Sequence, residues 1–583
     1  RAVLIGQPTY GKDTVQVLYE IDEDDKHPSD DRVAALKLTI RRYLLAGARS
    51  IGQSGIQPDI RTDNVSIGRR RLRLSQALRH PLREGHDFEG MDRPIFVYRS
   101  FHDQPYVDDD AKLAHRLLEA VGNVDRTRFL KAAAPLIHEL QQAVRQKLVA
   151  ALSRQGVDWT EGTNPVSPQV RLDLYFEGGP TRLVAGRRTN LVARLRNVGR
   201  QPLYRLYGVT RSSGDLFDQL DFAFGMIRAG ETKTWRVPVV IPRSIEARHE
   251  QLMLRIYGPK HGLVATRTLF ARVRPTAGPR FGYQCQPTDP HGNGDGRIQT
   301  GESVVLLCLV QNLGRGASAR TLASIRNRSG DGVLIRSGLQ RISALAPGAS
   351  TIVRFTFDVT RDFRKDDVRL KLRLYDRESD VELSDRLHFT VERNGREVQQ
   401  TTARMAEVTA PRIDVYASAD EDGPPLGTLA KGSHVRVDRR VDGWVRVELD
   451  GGRHGWVHAR GLRLLSGAPN TLPNPIFVPK LRSNPMIELL PRHRPPTLTS
   501  NSEIMLRGRL RALSDDERLH DMYVYHNSRK IYFKHAWSRA KDGWVYFDCP
   551  VKLVPGANRL VIVGRQDELL TRALRVSIFR VSR

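Results

Sequence analysis

A single lysine near the start of the chain has surroundings that suit a general base. Residues 2–5 form an apolar run, a turn rich in glycine and proline follows, and Lys12 stands before a second apolar run that begins near Val15. A lysine just after a tight turn between two buried strands has little access to water, and the loss of hydration disfavours its charged form. Such a lysine can accept a proton from a nucleophile near neutral pH. The spacing alone leaves a solvated turn lysine as the alternative.

The segment around Lys12 resembles the lysine motif of the C-terminal processing, or tail-specific, serine peptidases. The family motif Thr-Phe-Gly-Lys-Gly-x-Val-Gln corresponds here to residues 9–16, Thr-Tyr-Gly-Lys-Asp-Thr-Val-Gln. The resemblance implies that Lys12 deprotonates a serine nucleophile and that Gln16, four residues on, positions the lysine. Asp13 replaces the usual glycine, and it would raise the pKa of Lys12 if it pointed inward.

A second segment, residues 43–60, resembles the family's Tyr-x-Thr-Pro-x-Gly-Arg-x-Ile-x-x-x-Gly-Ile-x-Pro-Asp motif. The corresponding residues here are Tyr-Leu-Leu-Ala-Gly-Ala-Arg-Ser-Ile-Gly-Gln-Ser-Gly-Ile-Gln-Pro-Asp-Ile. The two motifs occur in the expected order within about sixty residues. Together they are a much stronger indication of the family than either one alone.

The position of the serine follows from the same resemblance. In the family the nucleophile lies upstream of the lysine strand, which places it before Arg1. The chain starts with arginine, and its first residues already have the pattern of a core strand. We therefore expect a C-terminal fragment of a longer peptidase, inactive as given although its parent is active. No cofactor is expected for catalysis, and the implied substrates are the C-terminal segments of peptides or proteins.

The charge of the chain raises the question of a polyanionic partner. The formal net charge is +28 and the pI is about 10.4. Arginine is spread through every segment with acidic residues between, and the densest cluster, residues 69–73, is short and lacks aromatic neighbours. A nucleic-acid-binding protein usually concentrates its charge in a stripe or tail. We therefore expect no nucleic acid partner, and attraction to anionic surface polymers or lipid headgroups is the alternative to plain solvated charge.

Hydrophobic periodicity predicts a multidomain, mostly β fold class. It comprises a truncated α/β peptidase domain with a helical segment, tandem immunoglobulin-like β-sandwiches, a small SH3-like barrel and a C-terminal β-sandwich. The predicted domains are the C-terminal part of the tail-specific peptidase domain at 1–63, a helical segment at 64–167, immunoglobulin-like sandwiches at 168–275 and 276–395, a bacterial SH3-like domain at 405–466 and a C-terminal immunoglobulin-like domain at 484–583.

Two stretches of the chain repeat one layout about a hundred residues apart. In residues 191–199 and again in residues 304–314, an apolar strand ends in Arg-Asn-x-Gly or Gln-Asn-x-Gly. Short alternating strands with regular turn signals are typical of β-sandwiches. The repeat resembles the adhesion-type, immunoglobulin-like domains of bacterial surface proteins, so these units are predicted to be spacers or binding surfaces.

Very short strands and two Gly-Trp pairs mark the next segment. The pairs contain Trp444 and Trp456, about a dozen residues apart, and the pattern resembles bacterial SH3-like domains. The tryptophans are either barrel-core aromatics or exposed parts of a groove for peptide or cell wall. A proline-rich connector at 469–496 is predicted to be a linker.

The second sandwich opens with an acidic loop that resembles dockerin-like calcium loops. Asn293, Asp295 and Glu302 fall at positions 3, 5 and 12 of such a loop, where hard Ca²⁺ takes oxygen ligands. Position 1 is His291, and Asp289 would compensate from two residues earlier. The predicted metal set is therefore Asp289, Asn293, Asp295 and Glu302 around a structural calcium, with a plain turn as the alternative.

The chain has three cysteines, whose spacings match no zinc or iron–sulfur pattern. Cys285 and Cys308 flank the acidic loop, and the sequence leaves open whether they form a disulfide. Cys549 lies in a predicted strand and is expected to be a buried, small apolar residue.

These observations predict a serine-type endopeptidase of the tail-specific class that uses a Ser/Lys mechanism and carries appended binding modules. The alternative is a non-catalytic cell-surface or wall-binding adhesion-type protein with a peptidase remnant. A cell-wall or surface polymer is the expected partner of the SH3-like and sandwich domains. The expected location is periplasmic or extracellular, with surface attachment through the part that precedes Arg1.

Overall fold

The computed structural model describes most of the chain. The described residues are 2–6, 9, 13–21, 34–45, 50, 55–68, 71–72, 96–102, 109–122, 124–178, 182–259, 262–289, 292–393, 398–421, 423, 425–465, 474–513, 517–535 and 542–582. They form two compact units, which are Arg1–Pro180 with Asn190–Val239 and Gln251–Leu269, and Thr181–Thr189 with Val240–Glu250 and Phe270–Arg583.

The described residues of the N-terminal part form six strands and two helices. They are β1 (Ile5–Gly6), β2 (Thr14–Ile21), β3 (Ala34–Arg42), β4 (Ile60–Gly68), β5 (Arg71–Leu72), β6 (Phe96–His102), α1 (Asp109–Val121) and α2 (Arg126–Ser153). Strand β4 pairs in parallel with both β1 and β6 and antiparallel with β5. Strands β2 and β3 form a separate antiparallel pair.

The two helices complete a core with the parallel strands. Asp125 caps α2, because its carboxylate accepts hydrogen bonds from the backbone N–H groups of Thr127 at 3.0 Å and Arg128 at 3.1 Å. The apolar faces of the helices pack on the first strands, as their periodicity requires. The buried residues of this core are Ile60, Leu113, Leu117, Phe129, Leu130, Ala133 and Ile137.

The first sandwich is formed by β7 to β14. These strands are β7 (Val170–Phe176), β8 (Arg182–Val184), β9 (Arg188–Asn197), β10 (Leu203–Ser212), β11 (Asp221–Ile227), β12 (Thr232–Val240), β13 (Arg248–Tyr257) and β14 (Leu263–Arg274). The sheet orders are β12-β9-β7 and β11-β10-β13-β14-β8. The C-terminal end of α2 packs against this sandwich through Leu152, which is buried with Trp159 and Tyr207.

The second sandwich is formed by β15 to β23. These strands are β15 (Phe281–Thr288), β16 (Ile298–Gln299), β17 (Ser303–Asn312), β18 (Thr321–Asn327), β19 (Val333–Ser337), β20 (Leu339–Ile342), β21 (Ser350–Val359), β22 (Asp367–Asp376) and β23 (Val381–Glu392). The sheet orders are β19-β21-β17-β15 and β16-β23-β22-β18-β20. Cys285 and Cys308 are directly opposite in β15 and β17 and form a disulfide, which answers the open question of their pairing.

A buried asparagine explains why the two sandwiches repeat the same short motif. Asn197 donates its side-chain N–H groups to the carbonyls of Gln201 and Ile227 at 2.8 and 3.1 Å. Asn312 donates in the same way to Gly316 and Leu345, at 2.9 Å each. In both cases the side-chain oxygen accepts the N–H group two residues on. The asparagine thus satisfies buried backbone groups where the strand turns.

The SH3-like module contains β24 to β31. These strands are β24 (Gln399–Val408), β25 (Arg412–Val415), β26 (Gly427–Ala430), β27 (His434–Val441), β28 (Trp444–Glu448), β29 (His454–His458), β30 (Leu462–Leu464) and β31 (Phe477–Pro479). The sheet orders are β29-β28-β27-β24-β30 and β25-β26-β31. Short 3-10 turns at Asp450–Gly452 and Ala459–Gly461 lie in the same module.

The described part of the proline-rich connector is ordered, so the prediction of a linker is wrong there. Strand β31 pairs with β26 of the SH3-like module. A few residues later, Arg482–Ser483 forms β32, which pairs with β15 of the second sandwich. The hydroxyl of Ser483 donates to the carbonyl of Phe281 at 2.7 Å. The sequence concealed these strands because they use only edge positions, which tolerate proline.

The C-terminal sandwich is formed by β33 to β40. These strands are β33 (Met486–Leu489), β34 (Leu498–Thr499), β35 (Glu503–Arg511), β36 (Asp521–His526), β37 (Arg529–His535), β38 (Val545–Lys552), β39 (Gly556–Arg565) and β40 (Thr571–Arg580), with a 3-10 turn at Pro491–His493. The sheet orders are β33-β35-β38 and β34-β40-β39-β36-β37. Cys549 is fully buried in this core, as predicted, and burial raises the pKa of its thiol to about 11.

The architecture confirms the predicted fold class, which is multidomain and mostly β. Within the described part of the chain, no helix is both long and apolar enough to cross a membrane.

Candidate functional site

The structure brings the two peptidase motifs into direct contact. Lys12 itself lies outside the described residues, but Thr9 before it is described. The hydroxyl of Thr9 accepts a hydrogen bond from the backbone N–H of Ile56 at 2.8 Å, and the N–H of Thr9 donates to the carbonyl of Ile56 at 3.2 Å. The second motif therefore holds Thr9, at the start of the lysine motif, in place.

A glycine is required at this contact. Gly55 has a φ of +65°, a region that favours glycine, and an added Cβ would lie only 1.8 Å from the carbonyl oxygen of Thr9. The second motif therefore has glycine at position 55 because its backbone lies directly against the backbone of the first motif.

Asp13, the departure from the family motif, is turned into the structure. It is 6% exposed, and its carboxylate accepts a hydrogen bond from the hydroxyl of Ser50 at 2.9 Å. Its carbonyl oxygen accepts the backbone N–H of Tyr43 at 2.9 Å. Asp13 therefore links the lysine motif to Tyr43 and Ser50 of the second motif.

Gln16, the predicted orienting residue, lies on β2 with an exposed side chain. Its amide nitrogen donates to the hydroxyl of Thr39 on β3 at 3.2 Å. A register shift between Val15 and Gln16 interrupts the β2–β3 ladder at this point. The hydrogen bond to Thr39 holds the amide on the hairpin, with Gln16 four residues along the chain from Lys12.

Asp59, at the end of the second motif, holds β1 in place, a role that reasoning from the sequence missed. Its carboxylate accepts the N–H of Leu4 at 2.9 Å and forms an ion pair with Arg126 of α2. Burial acts to raise the pKa of this carboxyl, but the hydrogen bonds from Arg126 and Leu4 outweigh it, and the pKa is lowered. The Pro-Asp pair at the end of the second motif is the sequence signal that could have indicated this role of Asp59.

The predicted calcium loop brings two of its carboxylates to one point. A Cβ added at Gly292 would lie 2.6 Å from a carboxylate oxygen of Glu302 and 2.7 Å from one of Asp289. Burial, the larger effect, and the neighbouring carboxylate of Asp295 raise the pKa of both Asp289 and Glu302. Converging oxygens of this kind fit the preference of a hard cation.

The loop has further contacts, some within itself and one with the SH3-like module. Asp295 accepts hydrogen bonds from the side-chain amides of Asn293 at 2.8 Å and Gln299 at 3.0 Å. Arg439 of the SH3-like module donates to the carbonyl oxygen of Asn293 at 2.8 Å. No three His, Cys, Asp or Glu side chains of the described residues are arranged to hold a metal ion. The calcium site stays a prediction, and Asp289 with Glu302 is its best-fitting part.

The two tryptophans of the SH3-like module are buried, with Trp444 7% and Trp456 1% exposed. Trp444 stacks on His458 with ring centroids 3.8 Å apart and meets Tyr416 edge to face. The core role left open by the sequence is therefore the one that both residues have, and neither offers an exposed ring to a ligand.

Comparison with known families supports both N-terminal and SH3-like assignments. Residues 1–62 match the model of peptidase family S41, the C-terminal processing peptidase family. Residues 411–463 match the model of the bacterial SH3 domain. The resemblance inferred from the sequence is confirmed by these two matches. No curated protein matches the chain.

Solved structures give weaker likenesses. Red sea bream transglutaminase is 13% identical over 43% of this chain and 34% of its own, with a TM-score of 0.16. A protein of unknown function from Porphyromonas gingivalis W83 is 14% identical over 38% of this chain and 99% of its own, with a TM-score of 0.13. A 1.5-MDa bacterial ice-binding adhesin is 9% identical over 72% of this chain and 99% of the solved chain, with a TM-score of 0.18. At these scores the likenesses carry no inference about this chain.

Proposed function

We propose that this chain is part of a serine-type endopeptidase of the tail-specific class. Lys12 is the general base that takes the proton of a serine hydroxyl as the oxygen attacks a peptide carbonyl, and the proton then passes to the leaving amine. Gln16 positions the Lys12 amine through its side-chain amide. The substrates are polypeptides recognised by their free C-terminal ends.

The observation that carries this proposal is the contact between Thr9 and Ile56. Residues 1–62 match the peptidase family, and within that match the lysine motif and the second motif hydrogen-bond to each other. A chance occurrence of either short motif would not place the two in contact.

We further propose that the modules after the peptidase part attach the enzyme to a cell-wall or surface polymer outside the cytoplasm. A bacterial SH3 domain match and two β-sandwiches of the kind that could serve as spacers support such a role. The disulfide between Cys285 and Cys308 favours an oxidising compartment, because cytosolic thiols are kept reduced. The proposed location is therefore periplasmic or extracellular.

Cleavage assays on the chain, extended by any residues that its gene is found to encode before Arg1, test the proposal. The substrate pair is one unstructured peptide with a free C-terminal carboxylate and the same peptide with an amidated end. The free-ended peptide should be cut, and the amidated one should be cut far more slowly. Lys12→Ala should reduce the rate by about a hundredfold or more, since a general base contributes roughly 10²–10⁴-fold.

Two further variants distinguish positioning from general damage. Gln16→Ala should lower kcat and shift the acid side of the pH profile, because the Lys12 amine must lose its proton before it can act as the base. Lys112→Ala removes an exposed lysine of α1 and should leave the rate unchanged. Undiminished cleavage by Lys12→Ala would refute the base assignment. Absence of any cleavage, with no serine encoded upstream, would favour a non-catalytic surface protein with a peptidase remnant.

A further inference from the structure

A cavity between the second sandwich and the SH3-like module has the features of a ligand site. Its volume is about 280 Å³, close to the lower end of ordinary small-molecule pockets at roughly 300–1,000 Å³. This size favours one small ring over an extended chain. The residues that matter for its chemistry are Gln286, Arg354, Arg439, Arg446, His454 and Trp456.

Three arginines from the two modules line this cavity. Arg446 is paired with Asp438 in a two-pronged contact, but no carboxylate of the described residues forms an ion pair with Arg354 or Arg439. Burial and the nearby Arg446 lower the pKa of Arg439. Asp289 is the one acid that lines the cavity in the described chain, and its carboxylate already accepts the N–H of Gly294 at 2.6 Å. The balance of charge favours an anion, which guanidinium groups bind in a planar, two-point fashion.

A buried glutamine adds a second, independent requirement. Gln286 is 3% exposed, and its amide nitrogen donates to the carbonyl of His454 at 2.8 Å. Its side-chain oxygen is buried and has no hydrogen-bond partner. Leaving such an acceptor unpaired costs free energy, so a ligand that brings an O–H or N–H donor would remove that cost.

We infer that this cavity binds a sugar that carries one carboxylate or phosphate group. The acid group contacts Arg354 and Arg439, and a ring hydroxyl donates to the free oxygen of Gln286. Trp456, whose side chain is buried, is part of the cavity lining and helps to limit its volume. The site is separate from Lys12 and Gln16, and it needs no catalysis to be useful to a protein held at an anionic surface.

Isothermal titration of the full chain tests the inference, with glucuronate, glucose 6-phosphate and glucose as probes. At least one of the two acidic sugars should bind, and glucose should bind much more weakly. The acidic sugar that binds more tightly shows whether the site prefers a carboxylate or a phosphate group. Equal binding of glucose, or no binding of either acidic sugar, would overturn the inference.

Matched variants locate the binding. Arg354→Gln changes an exposed side chain. It should weaken binding of the acidic sugar by about tenfold or more, since hydrogen bonds to charged groups are strong. Arg326→Gln removes an exposed arginine outside the cavity and should change nothing. Gln286→Glu places a carboxylate in the cavity and should abolish binding while the thermal unfolding curve shows that the protein is folded. Equal weakening by Arg354→Gln and Arg326→Gln would show only non-specific attraction to a basic surface.

Discussion

The hydroxyl of Thr9 and the backbone N–H of Ile56 lie 2.8 Å apart and join the two motifs of the peptidase segment. Gly55 makes this contact possible. It has no side chain to lie between the two segments, and its φ of +65° is in a region that favours glycine. Thr9, three residues before Lys12, is thus held by a segment about fifty residues later in the chain.

Gly55→Ala should break this contact. The added Cβ would meet the carbonyl oxygen of Thr9 at 1.8 Å, and the left-handed backbone adds strain. We expect a loss of about 2–4 kcal/mol in the unfolding free energy of the N-terminal part. Gly122→Ala is the matched control, because Gly122 has a φ of +76° with nothing within 4 Å. Equal effects of the two variants on thermal unfolding would mean that backbone strain alone matters.

The ion pair between Asp59 and Arg126 should make the N-terminal part acid-sensitive. The folded-state pKa of Asp59 is lowered, so its contribution is present above its unfolded value, about 3.9, and is lost as the pH falls through the lower folded value. Asp59→Asn should therefore reduce stability at pH 7 and flatten its dependence on pH below about 4. Unfolding measured from pH 7 to pH 2.5 gives the comparison, and parallel curves for both proteins would contradict it.

Asn312→Ala should destabilise the second sandwich by about 2–4 kcal/mol. The change leaves the carbonyls of Gly316 and Leu345 and the N–H of Gly314 without their side-chain partner in the core. Calorimetry of the full chain should show one transition moving to lower temperature. Asn501→Ala is an exposed control for which no shift is expected. An unmoved transition in Asn312→Ala would show that water replaces the side chain at no cost.

Calcium should stabilise the acidic loop, and more strongly at pH 7 than at pH 4. Burial, and to a smaller extent repulsion from neighbouring carboxylates, raises the pKa values of Asp289 and Glu302, so without a cation their ionisation opposes folding as the pH rises. A bound cation reverses this effect by favouring the ionised carboxylates. Thermal unfolding with Ca²⁺ or a chelator measures the difference. Glu302→Gln should remove it, and an unchanged unfolding temperature in the unaltered protein would exclude the site.

Reduction of the disulfide between Cys285 and Cys308 should lower the stability of the second sandwich. The two cysteines are 23 residues apart, and a loop of that length contributes about 3 kcal/mol in the chain-entropy account. The double variant Cys285→Ser/Cys308→Ser should reproduce the effect of a reductant and become insensitive to it. Continued sensitivity of that variant to the reductant would contradict this assignment, since Cys549 is buried.

Patterns that depend on neighbouring residues were predictable from the sequence. The strand periodicity gave the mostly β fold class, and the Asn-x-Gly repeat of Asn197 and Asn312 marked equivalent strand ends. The peptidase motifs were recognisable because glycine and proline at fixed spacings encode a backbone path.

Contacts between distant segments were not predictable in the same way. Nothing local to Asp59 indicates that Arg126 will lie beside it. The same holds for Arg439, which reaches the loop at Asn293 from 146 residues away. The buried positions of Trp444 and Trp456 also depended on the whole barrel, so the sequence left core and groove as alternatives.

The ordered connector changes what counts as a transferable unit in this chain. The SH3 family match ends at residue 463, but β31 completes a sheet of that module and β32 completes one of the sandwich before it. A gene fusion or truncation made at the family boundary would expose two strand edges that are covered in the intact chain, and such edges promote aggregation. A recombination event that kept the protein soluble would therefore have to transfer the sandwich, the barrel and the connector together.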